Sequence, residues 1–220
     1  MTRHRRLTPF RIGGAVAIAA LLVAMTLSTR FVTPDELASI GPETFDPAQT
    51  AEDLFAEANE TIPDAATPLP ELLTGLQKDV AKTADDLEAS RPNDTTYLFP
   101  VRGTATVVAA QDQAVEITVE GVPGTTPLSL ASGPAANGAV LRDALGFKFG
   151  DASNQTTYQQ VGDELKALVR EQIEQGTGGA KVAPGSELDF TGIVSVTDTG
   201  MPQPAAKPVQ IQPLTVEVAP

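Results

Sequence analysis

The chain has 220 residues and a formal charge of −13, with no cysteine, no tryptophan and a single histidine. The lack of cysteine excludes disulfides, iron–sulfur clusters and thiol catalysis, and with His4 as the one imidazole the remaining chain has no histidine for metal ligation or a serine-type triad. Charge is unevenly spread: Arg3, Arg5, Arg6, Arg11 and Arg30 are five of the fifteen basic residues, all 28 acidic residues follow from Asp35 onward, and residues 31–220 therefore carry 10 minus 28, or −18.

Between Arg11 and Arg30 lie eighteen uncharged residues, Ile12 to Thr29, close to the minimum for a bilayer-spanning helix. The arginine-rich side of such a helix stays in the cytoplasm. A cleaved signal peptide shares the basic start and apolar middle but needs a small-residue cleavage site, which Met25-Thr26-Leu27-Ser28-Thr29-Arg30 matches poorly. A buried core helix is the third reading of so short a run. The sequence favours an uncleaved anchor, with residues 1–30 as basic head and single-pass span in the inner membrane and the acidic body in the periplasm or outside the cell.

Residues 31–48 are rich in Pro, Asp and Thr and read as a membrane-proximal linker. Asp46-Pro47 is a helix start by capping and proline position, and Ala51, Leu54, Phe55 and Ala58 place one apolar face on a helix from Pro47 to Glu60. Ile62 to Pro70 contains three prolines and reads as a connection. From Glu71, Leu72, Leu73, Leu76, Val80 and Leu87 suit one amphipathic helix interrupted only by Gly75, with Arg91-Pro92-Asn93-Asp94 ending it. The period then changes from helical to alternating: Leu98 to Ala110 and Ala114 to Glu120 predict a hairpin across Gln111-Asp112-Gln113. A short strand near Pro127 to Ala131 follows, then a short helix over Val140 to Leu145. Val161, Leu165, Leu168, Val169 and Ile173 predict a long helix over Gln159 to Gln175, stopped by Gly176-Thr177-Gly178-Gly179. Strands over Glu187 to Val196 and Val209 to Val218 complete the chain.

Three strands, a helix and two strands give an α+β chain that is mainly β. The order β-β-β-α-β-β is that of an OB-like five-stranded barrel in which the helix between the third and fourth strands plugs one end; a generic α+β sheet is the rival. The expected organisation is residues 1–30 as head and anchor, 31–96 as linker and N-terminal helical segment, and 97–220 as the OB-like β domain.

A resemblance runs from Phe45-Asp46-Pro47 through Tyr97-Leu98-Phe99 to the end of the chain. It centres on Val101-Arg102-Gly103-Thr104-Ala105-Thr106-Val107-Val108 and on Gly133-Pro134, Leu141-Arg142-Asp143-Ala144-Leu145-Gly146-Phe147, Phe149-Gly150-Asp151 and Asn154-Gln155, with Phe190-Thr191-Gly192 further on. These residues resemble the DUF2291 family of predicted periplasmic lipoproteins. The resemblance implies an envelope protein encoded beside ribose-type sugar ABC transporters, with a permease or substrate-binding protein as partner. The chain departs from the family in lacking a lipobox cysteine, so its expected attachment is the helix and not a lipid.

The candidate site is Arg142, Asp143, Asp151, Asn154 and Gln155, five polar residues within fourteen positions amid glycines and phenylalanines. Such a cluster over a scaffold can form a ligand or partner contact. Equally, Arg142 and Asp143 can pair locally, Asn154 and Gln155 can brace a helix start, and Phe147 and Phe149 can fill the end of a barrel. Gly176-Thr177-Gly178-Gly179-Ala180-Lys181 superficially resembles a phosphate loop but lacks the motif and follows a helix where a strand is needed. Asp85-Asp86 sits in a charged helix without a loop of oxygen ligands. No catalytic residue, metal site or cofactor is expected, and a body at −18 repels nucleic acid. The resemblance thus implies an accessory protein of a sugar-uptake system, ahead of a small-saccharide binding module, with an enzyme third.

Overall fold

The computed structural model describes residues 45–179, 182–198 and 208–219. The anchor expected over Ile12 to Thr29 lies outside the described residues, and among the described residues no helix is long and apolar enough to cross a membrane. Phe45 to Pro220 forms one compact unit, an α+β structure on a mixed seven-stranded sheet.

The first helix, α1 (Pro47–Ala65), begins as expected. The Asp46 carboxylate accepts from the backbone N–H groups of Ala48 and Gln49, and Pro47 occupies the first turn, where its missing N–H has no intrahelical partner to lose. The helix runs five residues beyond its expected end at Glu60, through Pro63. Proline in the final turn removes only one intrahelical bond, and the buried Ile62 holds that turn against the body.

A two-residue strand β1 (Thr67–Pro68) leads into α2 (Leu69–Lys78) and α3 (Val80–Asp86), two helices where the apolar spacing predicts one. The break falls at Asp79, whose backbone is extended (φ −164°, ψ 113°). Its N–H closes α2 on the Gly75 carbonyl and its carboxylate caps α3 at the Lys82 N–H. The bend brings Thr83 over Gly75, where an added Cβ would stand 2.9 Å from the threonine side chain. Gly75 is therefore the crossing point of the two helices. The expected terminator then becomes strand β2 (Ser90–Asn93), antiparallel to β3 (Thr96–Ala110); Asn93 makes the turn, its side-chain oxygen accepting from the N–H groups of Thr95 and Thr96.

The strands β4 (Ala114–Val119), β5 (Leu128–Ala131), β6 (Glu187–Thr197) and β7 (Val209–Val218) lie close to the spans expected from the sequence. β3 pairs antiparallel with β4, β4 with β5, β5 runs parallel to β7, β7 pairs antiparallel with β6, and β6 returns to β3 over an unbroken register from Thr96↔Thr197 to Thr106↔Glu187. The register of β3 against β4 shifts between Val107 and Ala109, and Val108 is left exposed.

Alternating side chains on a strand point to opposite faces, and here each face has its own core. The inner cluster contains Val101, Ala105 and Val107 of β3, Ile117, Leu130, Leu188, Phe190 and Ile211. The outer cluster takes Leu98, Ile193 and Leu214 from the opposite face of β3, β6 and β7. Between β5 and β6 come α4 (Gly138–Ala144) and the long α5 (Gln155–Gly176). Along this long helix Val161, Leu165 and Val169 join the outer cluster with Ala51, Ala58 and Ile62 of α1, and Ile173 packs against both clusters. Leu69 and Leu72 of α2 join the inner cluster instead. The residue types explain the packing. Small alanines at Ala51 and Ala58 let α1 lie close along α5, and Gln172 fixes the pair by donating to the Asn59 side chain at 2.8 Å and to the Leu214 carbonyl at 3.2 Å.

Gly192 lies where the register of β6 against β7 shifts. A Cβ there would stand 2.5 Å from the Gln212 carbonyl oxygen and 2.9 Å from Ile211 Cγ2, so Gly192→Ala is expected to cost about 1–3 kcal/mol through overpacking. Gly150→Ala, whose Cβ would meet nothing within 4 Å, is expected to change stability by less than about 0.5 kcal/mol. Urea unfolding of both variants checks the pair.

Candidate functional site

The candidate residues lie where α4 crosses the start of α5. Two helices approach this closely only with small residues at the contact: a Cβ on Gly138 would land on the Gly162 carbonyl oxygen. Asn137 caps α4 by accepting from the Ala139 N–H, and its own N–H donates to Gln212 Oε1 at 2.6 Å. That bond ties the mouth of the site to β7, where Gln212 is among the few buried polar residues.

Arg142 and Asp143 are brought together. Arg142 is buried, its side chain 8% exposed against 27% for Asp143. Its Nε and Nη2 donate to the same Asp143 oxygen at 3.0 and 2.8 Å, and Nη1 donates to the Tyr158 carbonyl at 2.9 Å. The guanidinium lies 3.6 Å from the centroid of the Tyr158 ring, a cation–π contact, and the Tyr158 hydroxyl donates to that Asp143 oxygen at 3.2 Å. Ser90 Oγ donates to the Asp143 carbonyl, joining β2 to the same knot. A buried guanidinium is tolerable only when its charge and donors are matched, and three of the five N–H groups that a guanidinium carries are matched here.

Asp151 and Asn154 serve the backbone. Asp151 Oδ2 accepts from the Lys148 N–H at 2.7 Å, closing a 3-10 turn over Phe149–Asp151. Asn154 Oδ1 accepts from the N–H groups of Thr156 and Thr157, and Thr157 returns the bond to the Asn154 N–H. This capping starts α5 at Gln155, four residues before the expected Gln159. Gln155 is exposed on the rim. Phe147 stacks on Tyr158 at 6.0 Å and packs on the outer cluster. Phe149 remains 57% exposed, edge-on to Tyr158 at 5.8 Å.

These elements enclose an open cleft of about 740 Å³, walled by residues 134–139 on one side and by Gln155, Tyr158, Gln159, Gly162, Asp163 and Lys166 on the other. Lys166 joins the two walls, donating to the Pro134 carbonyl at 3.0 Å. Tyr158, Gln159, Asp163 and Lys166 were not in the sequence-based candidate set. Their signal was the helical interval from Gln155, whose i+3, i+4, i+8 and i+11 positions they occupy on one face. Among the described residues no three His, Asp or Glu side chains are grouped to hold a metal, and no buried side-chain nitrogen or oxygen lacks a hydrogen-bond partner.

Burial raises the Tyr158 hydroxyl above the ordinary phenol value of 10.0, with the Asp143 charge adding to the effect and Arg142 opposing it. In the unfolded chain the phenol therefore loses its proton first, and stability present below pH 10.0 declines as pH rises through the folded-state value. Tyr158→Phe is expected to remove this site's share of the alkaline loss, read from thermal melts across that range. Arg142→Met, which takes the cation from a half-buried Asp143 and the donor from the Tyr158 carbonyl, is expected to cost about 1–3 kcal/mol. Asn154→Ala is expected to cost about 1 kcal/mol through the lost cap. Urea titration checks both.

A family model described as "Predicted periplasmic lipoprotein (DUF2291)" matches residues 17–212. No functionally curated protein matches the chain. Among solved structures, the crystal structure of an OB-fold protein from Thermotoga maritima is similar, with a TM-score of 0.66 at 18% identity, covering 80% of this chain and 100% of that one. At that identity the likeness concerns the fold alone.

Proposed function

The chain belongs to the DUF2291 family of predicted periplasmic lipoproteins, and from that premise we propose that it is a membrane-tethered extracytoplasmic accessory protein, one that binds other envelope proteins and transforms no substrate. The observation that carries this reading is the layout of charge. An arginine-rich head, the uncharged run Ile12 to Thr29 and a body at −18 follow one another, and the family match begins at residue 17, inside that run. With no cysteine in the sequence there is no thiol to carry a lipid, so the tether is the apolar helix in the inner membrane, basic side in the cytoplasm.

The closed circuit of pairings from β3 through β4, β5, β7 and β6 is read as a five-stranded OB-type barrel. Such a barrel leaves few open strand edges, which suits a body that presents fixed surfaces to a partner. The engagement of Arg142, Asp143, Asp151 and Asn154 by one another and by the backbone supports structural roles over chemistry at those side chains. The partner expected from the family resemblance is a permease or substrate-binding protein of a sugar ABC transport system.

Crosslinking of the full-length protein in membranes, detergent solubilisation, capture and mass spectrometry tests this reading. Specific recovery of a sugar permease or its binding protein is the expected result. Recovery of none, with the tether intact and the crosslinker shown to react with the body, contradicts it.

A further inference from the structure

The cleft beside α5 has unused binding capacity of a definite kind. Gln155, Gln159 and Asp163 stand at i, i+4 and i+8, so they form a row along one helix face with neighbours about 6 Å apart. All three line the cleft, and their side chains are free of hydrogen bonds and ion pairs among the described residues. Together they offer amide donors, amide acceptors and a carboxylate acceptor. Arg142, also in the wall, has two N–H groups beyond the three engaged.

Two further properties narrow the ligand. At the mouth stands Phe149, 57% exposed and held edge-on to Tyr158, an apolar face that water leaves uncompensated. The cleft wall carries Arg142, Lys166 and Asp163, and both cations are engaged: Arg142 pairs with Asp143 at 2.8 Å and Lys166 donates to the Pro134 carbonyl at 3.0 Å. The surrounding body at −18 adds a field that disfavours anions. An open volume of about 740 Å³ falls within the size range of small-molecule sites.

We propose that this cleft binds a neutral, polyhydroxylated small molecule of the saccharide class, with an apolar C–H face of its ring on Phe149 and its hydroxyls on Gln155, Gln159 and Asp163. Hydroxyls both donate and accept, which matches a row of two amides and one carboxylate. A carboxylate or phosphate ligand would face Asp163, with the cations of the wall already engaged by Asp143 and by the Pro134 carbonyl. The proposal stands on the cleft itself and not on the tether or the transporter partner, so either can fail without the other.

The test is titration of the full-length protein in detergent with D-ribose, D-glucose, D-galactose and maltose, followed by thermal unfolding and calorimetry. Ribose 5-phosphate and glucose 6-phosphate serve as anionic counterparts, and glycerol at equal molarity controls for general polyol stabilisation. A saturable rise in Tm with at least one neutral sugar is expected, exceeding that of glycerol and of the matching phosphate. Gln159→Ala and Phe149→Ala, both at exposed positions, are expected to weaken that binding about tenfold or more while leaving the unliganded Tm unchanged. A panel of neutral sugars indistinguishable from glycerol, a preference for the phosphates, or affinity that survives both substitutions would overturn the assignment.

Discussion

The pairing of β3 with β6 is the constraint on which the remaining structure depends. Eleven consecutive residue pairs, from Thr96↔Thr197 to Thr106↔Glu187, join strands that lie some ninety positions apart in sequence. β3 is long enough to hold β6 along this stretch and still pair with β4 beyond it, where the register shift at Val107/Ala109 bends the strand. Because the same two strands bury Val101 and Phe190 on one face and Leu98 and Ile193 on the other, a single register fixes two cores. A slip of one residue would exchange the two sets and present each to the core packed for the other.

The cleft inherits its geometry from that arrangement. β7 pairs with β6 and carries Gln212, whose side chain receives the Asn137 N–H and so places the start of α4. The outer core fixes α5 through Val161, Leu165 and Val169, and the contact of Gly138 with Gly162 sets how closely α4 can cross it. Arg142, Asp143 and Tyr158 then lock the crossing by charge, hydrogen bonds and stacking. The polar cluster is thus the fastener of the cleft, and the side chains left available along it are those one or two helical turns further on, at Gln159 and Asp163.

Much of this was legible in the residues. Alternation located β3 and β4 because each has one face in the inner core and enough polar residues on the other to mark the period. Asp46-Pro47 marked the start of α1 because capping is a local interaction. The failures are non-local. The division of α2 from α3 depends on Thr83 folding back over Gly75, a contact invisible to helical periodicity. β2 reads as a terminator because Ser90-Arg91-Pro92-Asn93 has no alternation, and it is a strand only by virtue of lying beside β3. The packing of α5 was hidden for a related reason: its apolar stripe specifies burial but not which of two cores receives it. In the candidate site, Arg142 and Asp143 could be found because they are adjacent, whereas Tyr158 meets them, and Asp163 joins the same cleft, only through the crossing of two helices.

The tether and the outward-facing body form the centre of the functional account, since the partner reading presupposes access from outside the cytoplasm. Protease added to intact spheroplasts measures this directly, with detection of the body by antibody and of the chain in carbonate-washed membranes. The account predicts that the full-length chain stays with the washed membranes and that external protease degrades its body without lysis. A body protected until the membrane is broken, or a chain released by the carbonate wash, would contradict it.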